Sequence, residues 1–473
     1  MKCSLTKLLV VASSLLLTSC GGGGGTVAEG GIGGSGISMG RVAQVGSVYV
    51  NGTQYNTDNT QFIIDGDNTS TLNDIGVGMV VRVTGSRDTT TNTGVAESVV
   101  YDSLLLGPVD VIFNSSTSHI GVMGQAVHIN EDTVFENTIL DDPQTLETLA
   151  LNALVEVSGF PDTQTGEILA TRVELKSSVS TYKVSGIASD VDPNNISQFD
   201  IGGLTIDASS SISSIPAAGS YVAVESSLPP DTSSTPPLFT PESISIIGNG
   251  DGTVAADGAQ VDMEGVITSG LDSNDLFVVN GQIVDASLTP LSGETLQLAA
   301  GRVVEIDGVM NGTILLAETI TLEVSTNERE ELAALLQSGA VNIAASTVTI
   351  MGKTIHITNS TIFENDLGGS STFSLSDLAV GDYLEAKVYD NNGELTATKL
   401  ELEDPPHHYN AELEGIPSSL GGNTIEILGL EIDTNPSETH YHFDPNDIQR
   451  IEVKGNYDPV SGTVTATSIE NDH

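Results

Sequence analysis

The chain repeats one phrase six times, and that repetition limits what it can fold into. "GVAESVVYD" around Ala96 returns as "ILATRVELK" around Ala170, "FTPESISII" around Pro241, "LLAETITLE" around Ala317, "LTATKLELE" around Ala397 and "TVTATSIEN" around Ala466. Successive anchors lie 69 to 80 residues apart, the spacing of a tandem module. A second phrase precedes each anchor: "GMVVRVTG" from Gly78, "NALVEVSG" from Asn152, "GSYVAVES" from Gly219, "GRVVEIDG" from Gly301, "GDYLEAKV" from Gly381 and "IQRIEVKG" from Ile448. Both phrases alternate apolar and polar residues, the period of a half-buried strand.

Each module also opens alike, as in "GRVAQVGSVYVNGTQYNT" and "EGVITSGLDSNDLFVVNGQIVDA". Asn51-Gly52, Asn280-Gly281 and Gly429 fall between alternating runs, where residues that accept positive φ predict a tight hairpin. That gives about five strands per module. A short leucine-rich element such as "STLNDIG" or "FSLSDLAVG" precedes the fourth strand and predicts one capped helical turn. In the second module it lengthens to "DDPQTLETLALNAL", with Asp141 or Asp142 as cap and Pro143 in the first turn.

Five strands with a short helix before the fourth is the plan of a small OB-type barrel. The predicted fold class is therefore all-β: a tandem array of six OB-like five-stranded barrels of about 70 residues, with short helical elements. The predicted boundaries are 40–106, 107–178, 181–250, 258–325, 340–404 and 407–473 for the repeats. Residues 326–339, "TNEREELAALLQSG", predict a helical spacer, with Asn327 and Glu330 placed as a capping box and Gly339 as C-cap. Six such beads in line would extend about 150 Å. The third module departs from the pattern: Pro241 replaces the alanine anchor and the loop "PPDTSSTPP" precedes it, so its last strand is expected to be an irregular edge.

The N-terminus carries a different kind of signal. Lys2 and Lys7 precede the apolar run Leu8 to Leu17, which fits a secretory signal and is too short to span a bilayer. Leu17-Thr18-Ser19-Cys20 then resembles the lipobox of bacterial lipoproteins. That resemblance implies removal of residues 1–19, diacylglycerol and an N-acyl chain on Cys20, and a membrane held as partner through the anchor. Glycine at position 21 implies outer-membrane sorting, facing the periplasm or the cell surface. Residues 20–39 read as a glycine-rich tether reaching about 25 Å. "GISMG", Gly36 to Gly40, spells a nucleophile elbow, but its flanks are a glycine tail and a strand, so Ser38 is not read as a nucleophile. Cys3 lies in the removed segment, so the mature chain is expected to have no disulfide, free thiol or cysteine metal site.

Glycine-led opening, Asn-Gly hairpin, G-x-x-V-x-V-x-G and then G-x-x-x-A-x-x-I, on an acidic lipobox-bearing chain, together resemble the bacterial family known as domain of unknown function 5666. The resemblance runs from Gly40 to Ile469 and implies an envelope lipoprotein, but no activity or site residues.

The chain has 63 acidic and 15 basic residues, a formal net charge of −48. Such a surface repels phosphate backbones, and with no tryptophan and 4% aromatic residues the chain lacks stacking platforms for nucleic acid. Carboxylates are too numerous and too evenly spread for one pair to stand out as acid and base. Partial calcium-loop spellings occur at Asp190, Asp192 and Asn194 and at Asp65 and Asp67, without the glycine and distal glutamate such a loop needs. His440 and His442 alternate on one strand, with His407 and His408 at the mouth of the same module, and form a candidate metal site. The expected function is a lipid-anchored, non-enzymatic envelope protein, a structural, adhesive or binding scaffold whose partner is an envelope protein or surface ligand. The alternative is a metal- or small-ligand-binding lipoprotein with its site in the sixth repeat, a divalent cation being the candidate ligand.

Overall fold

The structure, a computed structural model, describes residues 36–473 except 138, 140–143, 192–196, 210–214, 248–253, 290–297, 325–328, 368–372, 392, 422–423, 435–438, 443–449 and 472–473. Within each repeat the predicted strands form. In the first, the opening strand Gly36–Gln44 pairs antiparallel with Val48–Val50 and with Val80–Asp88; Val48–Val50 and Thr53–Asn56 form the hairpin, and Thr53–Asn56 runs parallel to Thr93–Tyr101. The hairpin turns use the residues expected: Asn51 and Gly52 have φ of 48° and 67°, Asn280 and Gly281 48° and 89°. Beta-branched residues on alternate positions of these strands point inward, as Val81, Val83 and Val99 do at 1% exposure or less.

The six OB-like barrels strung in line are corrected. Opening strands of different repeats hydrogen-bond to each other, so strands run together into continuous sheets of 11, 12 and 14. Gly36–Gln44 of the first repeat runs parallel to Gln260–Ser269 of the fourth, with Ser38 opposite Asp262. Leu105–Asn114 of the second meets Tyr182–Ser189 of the third, and Glu330–Leu335 of the fifth meets Ala411–Gly415 of the sixth, both antiparallel. The result is one continuous β-assembly, solenoid-like in that repeats join edge to edge. It is not a row of separate barrels. The second and third repeats share a single core, as do the fifth and sixth, while Val77, Val134 and Ile362 pack where the first, second and fifth meet. The physical reason is that an opening strand has two edges, and a small module leaves both with unpaired backbone groups until another strand covers them.

The helical elements are corrected too. Among the described residues there is no α-helix; single 3₁₀ turns occupy Leu72–Asp74 and Ile343–Ala345. In the first, Asp74 Oδ2 accepts from Thr71 N at 2.8 Å and Thr71 Oγ1 at 3.0 Å, so the capping residues fix a turn that never propagates. Asp141, Asp142, Pro143 and Asn327 lie outside the described residues. The spacer proposed at 326–339 is instead the strand Glu330–Leu335, which pairs on one side with Tyr383–Asn391 and on the other with Ala411–Gly415. Flanking strands pair with all six residues of "EELAAL" on one side and with Glu331–Ala334 on the other, and this outweighs the helix propensity of its alanines and leucines. The strand Gly36–Gln44 thus starts within the segment read as tether, and Glu330–Leu335 lies within the segment read as spacer. In the third repeat the last strand, Ser243–Ile246, pairs among the described residues only with Tyr221–Ser226 and is mostly exposed.

Candidate functional site

The polar residues that the sequence scatters are gathered by the fold at the seams between repeats. At the seam of the first and fourth, Ser38 on the opening strand donates to Asp262 Oδ2 at 3.0 Å and bonds Tyr55 Oη at 2.5 Å. Asn51 Nδ2 reaches Asp262 Oδ1 at 2.9 Å. Arg87 pairs with Asp262 at 3.1 Å and with Asp307, and Arg41 pairs with Glu264 at 2.8 Å and with Glu323. Asp262, Glu305 and Asp307 each place a carboxylate oxygen within 4.8 Å of the others. Burial pushes the Asp262 carboxyl well above the usual range, against the pull of Arg87. Burial, with Glu264 and Asp307 nearby, pushes Glu305 up to about 7.

A second acidic group, Glu364, Asp366 and Glu401, lies where the fifth repeat meets the second. Lys399 bridges Glu364 at 2.5 Å and Glu401 at 2.7 Å, and its ammonium also donates to Glu131 O at 3.1 Å. Phe135 N donates to Glu364 Oε1 at 2.8 Å. Burial raises Glu364 to about 8 despite Lys399, whereas for Glu401 burial is outweighed by Lys399 and Lys387 and the carboxyl is held well below its usual range. Either group is close enough to hold a divalent cation between its oxygens. In both, a basic side chain of the protein already lies among the carboxylates.

The residues singled out from sequence fall in different places. Cys20 lies outside the described residues. Ser38 sits on a strand at a seam, with no following helix. Asp65 accepts from Ser103 N and Oγ and from Lys183 Nζ, each at 2.9 Å, which ties the first repeat to the third. Asp67 accepts from Thr69 N at 2.8 Å and Thr69 Oγ1 at 2.7 Å, bonds that hold its carboxyl below the usual range and close a turn. Asp190 has φ of 46° at the end of a strand, and Asp192 and Asn194 lie outside the described residues. His440 and His442 lie on a three-residue strand opposite Ser468 and Glu470, while His407 and His408 are exposed in the preceding connection. Among the described residues, neither group of three clustered ligand-type side chains contains a histidine.

The sequence reading missed two histidines. His119 and His128 lie directly opposite each other on paired strands, their ring centroids 5.0 Å apart, on the wall of a cleft of about 470 Å³ between the second and fourth repeats. The signal that would have found them is symmetry: both stand four residues from the Met123-Gly124 turn, whose positive φ fixes the hairpin register.

The family model described as Domain of unknown function (DUF5666) matches residues 107–174, 264–321, 339–401 and 414–470, just over half of the chain. These are the second, fourth, fifth and sixth repeats. No curated protein matches the chain.

Proposed function

This chain belongs to the DUF5666 family, and from that premise we propose that it is a lipid-anchored, non-enzymatic scaffold of the bacterial cell envelope whose variable loops present a binding surface. The observation that carries the reading is where the charged residues go. Arg41, Arg87, Arg172, Lys183, Arg329 and Lys399 each pair with carboxylates, and most of these pairs cross from one repeat to another. Side chains that an enzyme would converge on one substrate are used here to hold repeats in register. The lipobox-like Leu17-Thr18-Ser19-Cys20 and the glycine run after it support attachment, since acyl chains contribute about 0.8 kcal/mol per buried CH₂. The high negative charge supports a solvated, non-aggregating surface.

The test is Cys20→Ser in the full chain, expressed in a bacterium supplied with labelled palmitate. The expected outcome is label and membrane sedimentation for the parent, and an unlabelled chain for the variant. Label retained by the variant, or a parent that never sediments with membrane, overturns the anchor. A scaffold is further expected to capture the same envelope partner through more than one repeat by crosslinking.

A further inference from the structure

We propose that His119, His128 and Glu167 form a binding site for a divalent transition-metal ion of the zinc class, in the cleft between the second and fourth repeats. The argument begins with a departure from the repeat. His119 and His128 form the fourth cross-strand pair counted out from the hairpin turn. The same pair is Gln198 and Asp207 in the third repeat, Leu276 and Asp285 in the fourth, Thr347 and His356 in the fifth, and Thr424 and Asp433 in the sixth. Among these five repeats the second alone places two imidazoles there, on a framework the others share.

The chemistry of His119 suits ligation. Its Nδ1 faces Thr117 O, and a carbonyl only accepts, so the Nδ1–H is the donor. In the neutral ring this leaves Nε2 with a free lone pair, the arrangement that backbone carbonyls impose on metal-binding histidines. Nε2 is shielded from solvent and has no hydrogen-bond partner. The nearest charged group is Glu167 Oε1 at 4.0 Å. Two donors bound at about 2.1 Å to one ion stand roughly 3.5 Å apart, so the gap closes with a small shift of Glu167, whose side chain is 54% exposed and free to move. His128 is the third candidate ligand: its ring centroid lies 5.0 Å from that of His119, and because the three donors do not yet stand within 4.8 Å of one another, ligation requires this partly exposed ring to turn toward the gap between His119 Nε2 and Glu167. Two arginines on the cleft wall are already engaged, Arg329 with Asp132 and Arg302 with Glu323 O at 3.2 Å. Two imidazoles and one carboxylate favour zinc-like ions over calcium or magnesium, and leave a fourth position for water or a ligand from the cleft.

The experiment is a zinc titration of the chelator-stripped full chain by calorimetry at high salt, repeated with cobalt to read the visible ligand-field bands. One saturable equivalent is expected, weakened at least tenfold by His119→Ala or His128→Ala and unaffected by the His440→Ala/His442→Ala double variant. Glu167→Gln, at an exposed position, is expected to keep the parent's thermal melt and still lose affinity and alter the cobalt spectrum. The proposal is overturned if the parent takes up metal only in an unsaturable, salt-suppressed manner. It is also overturned if Glu167→Gln and a folded histidine variant bind as the parent does, or if binding disappears with His440 and His442 instead.

Discussion

Gly85, Gly159, Gly308 and Gly455 stand on the fourth strand of four repeats, opposite the bulge in the fifth. An ideal Cβ at Gly159 would lie 2.2 Å from Leu169 O, and one at Gly308 2.2 Å from Leu316 O. Both obstacles are backbone, which a rotamer change does not move. Gly159→Ala is therefore expected to cost about 2 kcal/mol in chemical denaturation, within the range for overpacking a tight contact. The fifth repeat carries Val388 at this place, so the clash belongs to how closely those strands approach rather than to the bulge itself. Titration gives a second prediction at this scale. Burial raises Glu305 from 4.5 to about 7 in the folded chain, so the folded state holds the proton more tightly than the unfolded one. The stability this group contributes is complete below about pH 4.5 and is lost as pH rises through 7. Glu305→Gln should accordingly stabilise the chain by ~1–3 kcal/mol at pH 8 and change little at pH 4, read from melts in the presence of chelator. An unchanged melt at pH 8 would mean that the seam tolerates the ionised group.

The strand Glu330–Leu335 is hydrogen-bonded on both sides, and Ala333 within it is 1% exposed. Ala333→Pro removes a donor and wedges a ring between two neighbours, an expected loss of at least about 3 kcal/mol. Among the described residues, the edge strand Ser243–Ile246 has a partner on one side only. Its amides should exchange with deuterium well ahead of those of Glu330–Leu335, because fewer contacts must open. Equal exchange rates in the two strands would contradict the pairing. These two elements also mark what sequence could and could not disclose. Pro241 and its proline-rich loop announced the weak edge, since proline cannot join a ladder. "EELAAL" gave no such notice, because alanine and leucine suit a helix and only neighbours distant in sequence make it a strand.

At the scale of the molecule, the repeats interlock out of sequence order. The first touches the fourth through its opening strand, the fifth through Gln44 Nε2 donating to Thr358 O at 3.1 Å, and the second through Tyr101 Oη donating to Glu156 at 2.9 Å. Arg329, 2% exposed and directly before the strand Glu330–Leu335, pairs with Asp132 and so ties the second repeat to that strand. Arg329→Ala leaves Asp132 buried without its cation, and such losses run to roughly 3–5 kcal/mol. The pair Arg329→Met with Asp132→Asn should recover part of that loss, because no bare charge remains. If the single variant unfolds at the parent's denaturant midpoint, the seam contributes nothing to stability.

Much of this protein follows from its residues alone. Alternation specified strands, Asn-Gly pairs specified hairpins, and the repeated phrases specified how many modules to expect. These are local or compositional properties, carried by neighbours a few positions apart. The tertiary structure decided which edges meet and which charges share a seam. It turned a would-be helix into a central strand and brought Glu305 beside Asp262 and Asp307. It also formed a cleft around two histidines that read as unrelated along the chain. Those outcomes depend on hydrogen bonds and Coulomb forces between residues up to hundreds of positions apart, where no local pattern records the partner.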